Sequence, residues 1–391
     1  MENPKIRFLK NKHSWVRSTF EEIAKRRTKS SDNPDLPRIE YQDILSGEGR
    51  LNKELSKNID CRKGIVFETN DILYGKLRPY LKNWLHPNFN GIALGDFWVL
   101  QARNCDSKFL FSLIQSPKFQ RVANDTSGTK MPRSDWKTVS QTEFSIPASN
   151  DEQSAIGSLF RTLDDLLASY KDNLANYQSL KATMLSKMFP KAGQTVPKIR
   201  LDGFEGEWEV VNLGTLIENY DEIISGVSGF PIATSSRKGL YLQNDYFEGG
   251  RTGIDLTLDF HRVPMGYVTY RHMSDDSIFK FNKNNFETDV LVSKEYPVFM
   301  SNDSSDIDFI LYHLNNSGLF LRFSTMQKLG GTRVRLYYKN LITYNLAVPT
   351  IKEQQAIGDY FSNLDNLINS CQEKITQLET LKKKLLQDMF I

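Results

Sequence analysis

Residues 70–82 gather three cations and two tyrosines into one short run, Asn70-Asp71-Ile72-Leu73-Tyr74-Gly75-Lys76-Leu77-Arg78-Pro79-Tyr80-Leu81-Lys82. Its apolar start and its proline stop predict a strand followed by a turn. Alternate strand residues face one way, so the run predicts Lys76, Arg78 and Tyr80 on a common face, with Lys82 just beyond. Ammonium and guanidinium groups bind phosphate, and a guanidinium also forks onto a guanine edge, so the chemistry on offer is contact with a nucleic acid. A merely solvated basic face would carry the same residues.

Two further basic clusters surround short glycine-threonine segments. Lys130, Arg133, Trp136 and Lys137 follow Ser127-Gly128-Thr129, and Lys328, Arg333, Arg335 and Lys339 surround Gly330-Gly331-Thr332. Glycine lets backbone amides come close to a phosphate, which suits a contact loop; a plain hairpin turn is the alternative reading. Arg271, in Tyr270-Arg271-His272-Met273, is a further candidate.

Bond-making chemistry has no comparable support. The sequence holds no GxxxxGK[ST], HExxH, CxxC or GxSxG, and Gly47-Glu48-Gly49 is a lone GxG without a dinucleotide-binding frame. His13, His86, His261, His272 and His313 are scattered without i, i+4 pairs, and Asp275-Asp276 and Asp306-Ile307-Asp308 read as solvated loop faces, so no catalytic or metal residue is assigned.

The elements that must carry these clusters come in two copies. Residues 146–190 and 348–390 match at an offset of 201, through Glu152/Glu353, Gln153/Gln354, Ala155/Ala356, Ile156/Ile357, Gly157/Gly358, Asp164/Asp365, Lys181/Lys382 and Met188/Met389. Each copy has a heptad seam: Ile156, Phe160, Leu163, Leu167 and Leu174 in the first, Ile357, Phe361, Leu364, Ile368 and Ile375 in the second. A helix of about 38 residues is a rod of ~57 Å, far longer than the usual ~10 to 14 residues of a globular helix, so the two are expected to pack on each other, antiparallel. Lys181 and Lys382 occupy the same d-type position, where a polar group fixes register. Asn150 or Asp151 is placed to cap the first helix, and Pro190 ends it.

The segments before the helices share a frame. Pro4-Lys5-Ile6-Arg7 matches Pro197-Lys198-Ile199-Arg200, Trp15 matches Trp208, and Phe144-Ser145-Ile146-Pro147 matches Leu346-Ala347-Val348-Pro349, while the interiors do not align. Short apolar runs between turn residues, with helices expected at 108–124 and 306–314, give an α+β class. The expected organisation is two globular modules, 1–147 and 191–349, separated by long helices, 148–190 and 350–391, that form an antiparallel coiled coil.

At 39% hydrophobic residues the 391-residue chain has material for two or three cores. Residues 1–145 carry 25 Lys and Arg against 17 Asp and Glu, a net +8 suited to a polyanion, whereas 191–347 carry 16 against 19. No apolar run approaches ~18 residues, and Cys61, Cys105 and Cys371 read as reduced thiols, so a soluble cytoplasmic protein without membrane contact is expected.

These paired frames around unlike interiors, the Leu73-Tyr74-Gly75-Lys76-Leu77-Arg78-Pro79-Tyr80-Leu81-Lys82 run, and the Pro…Glu-Gln-x-Ala-Ile…Leu-Asp…Met-Phe signature of each helix resemble the specificity subunits of type I restriction-modification enzymes. The departures are Asn70, where glycine is usual, and a second module without a Lys-Leu-Arg-Pro equivalent. The resemblance covers essentially the whole chain. It implies two target recognition domains, each reading half of a bipartite, asymmetric site on double-stranded DNA. The helix pair would set the gap and dock methyltransferase (M) subunits. It implies no catalysis and no cofactor on this chain: S-adenosylmethionine and adenine methylation belong to the M subunits, and ATP with Mg to restriction (R) subunits where these are present. The competing expectation is a coiled-coil DNA-binding scaffold or regulator without a methyltransferase partner. A self-sufficient modification enzyme is disfavoured because the sequence has no NPP[FY] or DPP[FY].

Overall fold

In the computed structural model, which describes residues 4–8, 14–52, 61–125, 130–246, 254–328 and 333–390, the chain folds into two compact units. One holds the residues up to Leu174 together with those from Ser370 onward; the other is Ala175–Asn369. Each long helix therefore supplies one stretch to each unit.

In the first unit the module closes on itself through its ends. Strand Trp15–Thr19 pairs antiparallel with Glu143–Pro147, Trp15 opposite Pro147 and Thr19 opposite Glu143. Between them lie two four-stranded sheets. One has the order Ala24–Arg26, Phe97–Ala102, Ile72–Gly75, Trp84–Leu85; the other Ser30–Ser31, Gly64–Phe67, Gly91–Ala93, Arg38–Ile39. The continuous apolar run Ile72-Leu73-Tyr74 is buried on both faces, which is why it does not alternate. The single helix expected over 108–124 is two helices, Ser107–Gln115 and Pro117–Ala123. Pro117 cannot continue the first, and Ser116 caps the second by accepting from Phe119 N (3.3 Å).

The second unit repeats the closure with Glu209–Asn212 against Asn345–Val348. Its main sheet has the order Ile217–Tyr220, Val298–Ser301, Val268–Tyr270, Phe281–Lys283, beside a three-stranded sheet of Ile223–Ser225, Asp259–Val263 and Val290–Ser293. Helix Ile307–Asn316 falls where the sequence placed it, capped by Asp306, which accepts from Phe309 N (2.8 Å).

The long helices are Asn150–Lys187, 38 residues, and Ile351–Met389, 39 residues. Asn150 is already helical rather than a cap. In both units they run antiparallel: Asp164 meets Lys382 (2.5 Å) and Lys171 meets Glu379 (2.9 Å) in the first, and Lys181 meets Asp365 in the second. The fold is α+β with paired long helices.

The seam residues do more than face the other helix. Ile156, Phe160 and Leu163 join Phe109, Leu110, Met389 and Phe390 in the core of the first unit, while Ile357, Phe361 and Leu364 join Phe309, Ile310 and Met188 in the second. Leu167 and Ile375 are buried, Leu174 and Ile368 half-buried. Glycine is required at the crossing point: a Cβ on Gly157 would lie 2.5 Å from Phe109 N, and one on Gly358 2.7 Å from Asp306 Oδ1.

Candidate nucleic-acid interface

The cationic run of the first module does not lie on one strand face. The strand ends at Gly75, where a Cβ would meet Asn83 O at 2.9 Å. Arg78 and Lys82 then take left-handed backbone angles (φ 50° and 53°) on either side of the single 3-10 turn Pro79–Leu81. Left-handed residues break the two-residue alternation, so Lys76, Arg78 and Tyr80 do not line one face of a strand. Arg78, Tyr80 (55% exposed) and Lys82 stand on an exposed loop, and Lys76 is half-buried.

That loop is tied to the second basic cluster. Leu77 forms an antiparallel bridge with Arg133; Arg78 N–H donates to Pro132 O (2.7 Å) and Ser134 N–H to Lys76 O (2.8 Å). Asp96 accepts an ion pair from Arg133 (3.1 Å) and lies 3.6 Å from Lys76 Nζ. Tyr41 supports the corner: its hydroxyl donates to Asp96 O (2.5 Å) and accepts from Leu77 N (3.3 Å), and burial pushes its pKa up to about 12, so it stays a neutral donor. Lys130 and Lys137 are exposed nearby in sequence, Lys137 in the first turn of helix Trp136–Gln141. Asp135 caps that helix, its carboxyl held below the usual range chiefly by the Thr138 hydroxyl. Lys76, Arg78 and Arg133 thus form one basic edge.

In the second module the structure brings Arg271 and Arg335 to a comparable edge. Strand Met273–Ser274 pairs antiparallel with Val334–Arg335, Met273 opposite Arg335, and Leu336 N–H donates to His272 O (2.8 Å). Arg271 and Arg335 are exposed. Arg333 is instead engaged by Asp275 (2.8 Å), and Asp276 by Arg237 (2.8 and 2.5 Å). Lys328 is exposed just past helix Gly318–Met326 and is not part of the ladder. Ser127-Gly128-Thr129 and Gly330-Gly331-Thr332 lie outside the described residues.

The repeated frame proves to be a set of long-range clamps. Arg7 grips the buried carboxylate of Glu152 with two hydrogen bonds (2.7 and 2.8 Å), and Arg200 grips Glu353 in the same way (2.7 and 2.6 Å). Gln153 accepts from Asp106 N (2.8 Å) and donates to Pro147 O (2.8 Å); Gln354 accepts from Asp306 N (3.1 Å) and donates to Pro349 O (3.0 Å). Main-chain caps complete it: Lys5 and Ile6 N–H donate to Asp388 O, Ile199 N–H to Lys187 O. The repeat exposed these residues in the sequence, but not their partnership. Gln115, which accepts from Lys382 (2.7 Å), carried no signal at all.

Among the described residues no group of three His, Cys, Asp or Glu could hold a metal ion, and no helix is long and apolar enough to cross a membrane.

Comparison with known proteins agrees with this architecture. The family model for the Type I restriction modification DNA specificity domain matches residues 242–380. The type I restriction enzyme MjaVIII specificity subunit of Methanocaldococcus jannaschii is 22% identical over 376 residues, covering 88% of this chain and 84% of that protein. The type I restriction enzyme EcoDI specificity subunit of Escherichia coli is 24% identical over 196 residues, 48% of this chain and 44% of that one. Among solved structures, the type I restriction-modification S subunit from M. genitalium superposes with a TM-score of 0.62 at 13% identity, covering 100% of this chain and 99% of that one, and so shares its fold. With two like-framed modules and paired long helices beside these matches, the chain is similar to type I restriction-modification specificity subunits, and its residues 242–380 match the DNA specificity domain of that family.

Proposed function

We propose that this chain is the DNA-reading subunit of a type I restriction-modification complex, with modules 1–147 and 191–349 each reading one half of a bipartite, asymmetric site. The observation that carries the reading is the duplicated basic edge, Lys76, Arg78 and Arg133 in one module and Arg271 and Arg335 in the other, each on a short antiparallel ladder in a module whose ends close by a like strand pair. One short half-site recurs often in a genome; two half-sites at fixed separation multiply their discrimination. The helices 148–190 and 350–391 keep that separation and dock methyltransferase subunits. S-adenosylmethionine chemistry, and ATP and Mg where restriction subunits join, reside on those partners.

The test is adenine methylation mapped across the source genome with and without this gene. Loss of methylation at one bipartite motif is the expected result and yields both half-sites and the gap. Methylation unchanged at every motif, with the gene expressed, removes the proposal.

A further inference from the structure

The second module has no Lys-Leu-Arg-Pro sequence, yet its backbone reproduces the element that carries those residues in the first. In the first module the hydrogen bonds Ser134 N to Lys76 O and Arg78 N to Pro132 O bracket the bridge between Leu77 and Arg133. In the second, Leu336 N bonds His272 O, and the antiparallel partners are Met273 with Arg335 and Ser274 with Val334. The two ladders coincide in register. His272 stands where Lys76 stands, Met273 at Leu77, Ser274 at Arg78, Arg335 at Arg133 and Leu336 at Ser134.

The flanks agree. Tyr74 and Tyr270, two residues before Lys76 and His272, are both fully buried, in strands Ile72–Gly75 and Val268–Tyr270. Each strand pairs antiparallel with a later one, Phe97–Ala102 or Val298–Ser301, and a short helix follows each ladder, Trp136–Gln141 or Tyr338–Leu341.

The chemistry on this shared backbone differs. In the first module Arg133 is tethered to Asp96 and the loop beyond carries the exposed cations Arg78 and Lys82. In the second the loop carries Asp275 and Asp276, already occupied by Arg333 and Arg237. Arg335 has no ion pair among the described residues, and its strand is pinned by a buried neighbour, His272, whose ring stacks on Tyr337 (5.5 Å). Diffuse positive charge attracts any phosphate backbone, whereas a single guanidinium fork on a fixed ladder suits one base edge.

We infer that Arg335 is a specificity-determining residue of the second module, the counterpart of Arg133, reading a guanine edge in that module's half-site. The inference rests on the DNA-reading function proposed above.

The test uses the full chain assembled with its modification subunits. Affinity is measured over a salt series for the duplex bearing the mapped site and for duplexes with each base pair of either half-site replaced. Arg335→Ala is expected to lose about 10-fold to 100-fold on the intact site, to lose discrimination at one G·C pair of the second half-site, and to keep all discrimination in the first. Arg335→Lys should keep the salt slope and lose the same discrimination, because an ammonium cannot fork. Arg133→Ala should confine its effect to the first half-site. Uniform weakening on every duplex with a salt slope lower by about one would make Arg335 a phosphate contact and overturn the inference, as would unchanged discrimination. A wild-type complex that prefers no bipartite duplex sinks the DNA-reading function itself, whereas a preference left intact by Arg335→Ala sinks only this assignment. Unfolding temperatures of the variants, whose side chain is exposed, confirm that the fold is unchanged.

Discussion

Glu152 and Glu353 are carboxylates almost without water contact, 0% and 1% exposed, and each is held by a bidentate guanidinium from the opening of its module. Removing one partner of a buried pair leaves an uncompensated charge, at a cost of about 3 kcal/mol or more. Arg200→Met is therefore expected to lower stability by that order, and adding Glu353→Leu should restore a large part of it; equal losses in single and double variants, measured by denaturant unfolding, would deny the clamp. His313 shows a different residue-scale cost. It is buried in the second unit with Nε2 on the Tyr344 hydroxyl (2.9 Å), and burial lowers its pKa from 6.5 to about 4. The folded chain keeps it neutral while the unfolded chain takes up a proton as pH falls below 6.5. Stability present at pH 7 is thus lost between pH 6.5 and 4, by about 2 kcal/mol at pH 5 from this group alone. His313→Phe should make the fall in unfolding free energy from pH 7 to pH 5 smaller by that amount; an unchanged fall would show that His313 is not its source.

At the scale of elements, the long helices are fixed by two related ion pairs of unequal burial. Lys382 and Asp164 have side chains 12% and 14% exposed, Lys181 and Asp365 23% and 35%. Burial raises the Asp164 carboxyl pKa and Lys382 opposes the rise, so loss of the lysine leaves that carboxylate in the poorer environment. Lys382→Ala is expected to cost about 2 kcal/mol and Lys181→Ala about 1, a ranking read from urea midpoints. The helix crossings give a second test. Alanine in an open helix stabilises relative to glycine by about 1 kcal/mol, but at Gly157 the new Cβ meets the backbone of Phe109, so Gly157→Ala should instead destabilise by about 1 to 3 kcal/mol in thermal unfolding.

At the scale of the whole molecule, the proposed ruler makes a geometric prediction. Deleting one heptad from each long helix shortens it by about 10 Å, close to 3 base pairs of B-form DNA. Methylation mapping of that variant should show both half-sites unchanged and a gap shorter by about that number. An unchanged gap would remove the helices from the role of spacer.

The duplicated helices were legible because helical periodicity is local: Ile156, Phe160 and Leu163 recur at 4-3 spacing within a few turns, and the 201-residue offset to Ile357, Phe361 and Leu364 needs no tertiary knowledge. Local signals also placed helix Ile307–Asn316 after its Asp306 cap. The strand-face arrangement of Lys76, Arg78 and Tyr80 failed for an equally physical reason. Pattern extends a strand until something stops it, and the left-handed residues Arg78 and Lys82 lie where the chain meets distant segments: Arg78 N–H bonds Pro132 O, over fifty positions away, and Lys82 O accepts from Gly47 N. The sequence by itself determined two framed modules, two long helices and a basic first module, all properties of composition and short-range spacing. Only the tertiary structure decided that Arg7 belongs to Glu152, that Lys382 belongs to Asp164, and that residues 271–274 repeat the ladder of residues 75–78. Those facts are hydrogen-bond registers between distant segments, where identical backbone geometry accommodates unrelated side chains.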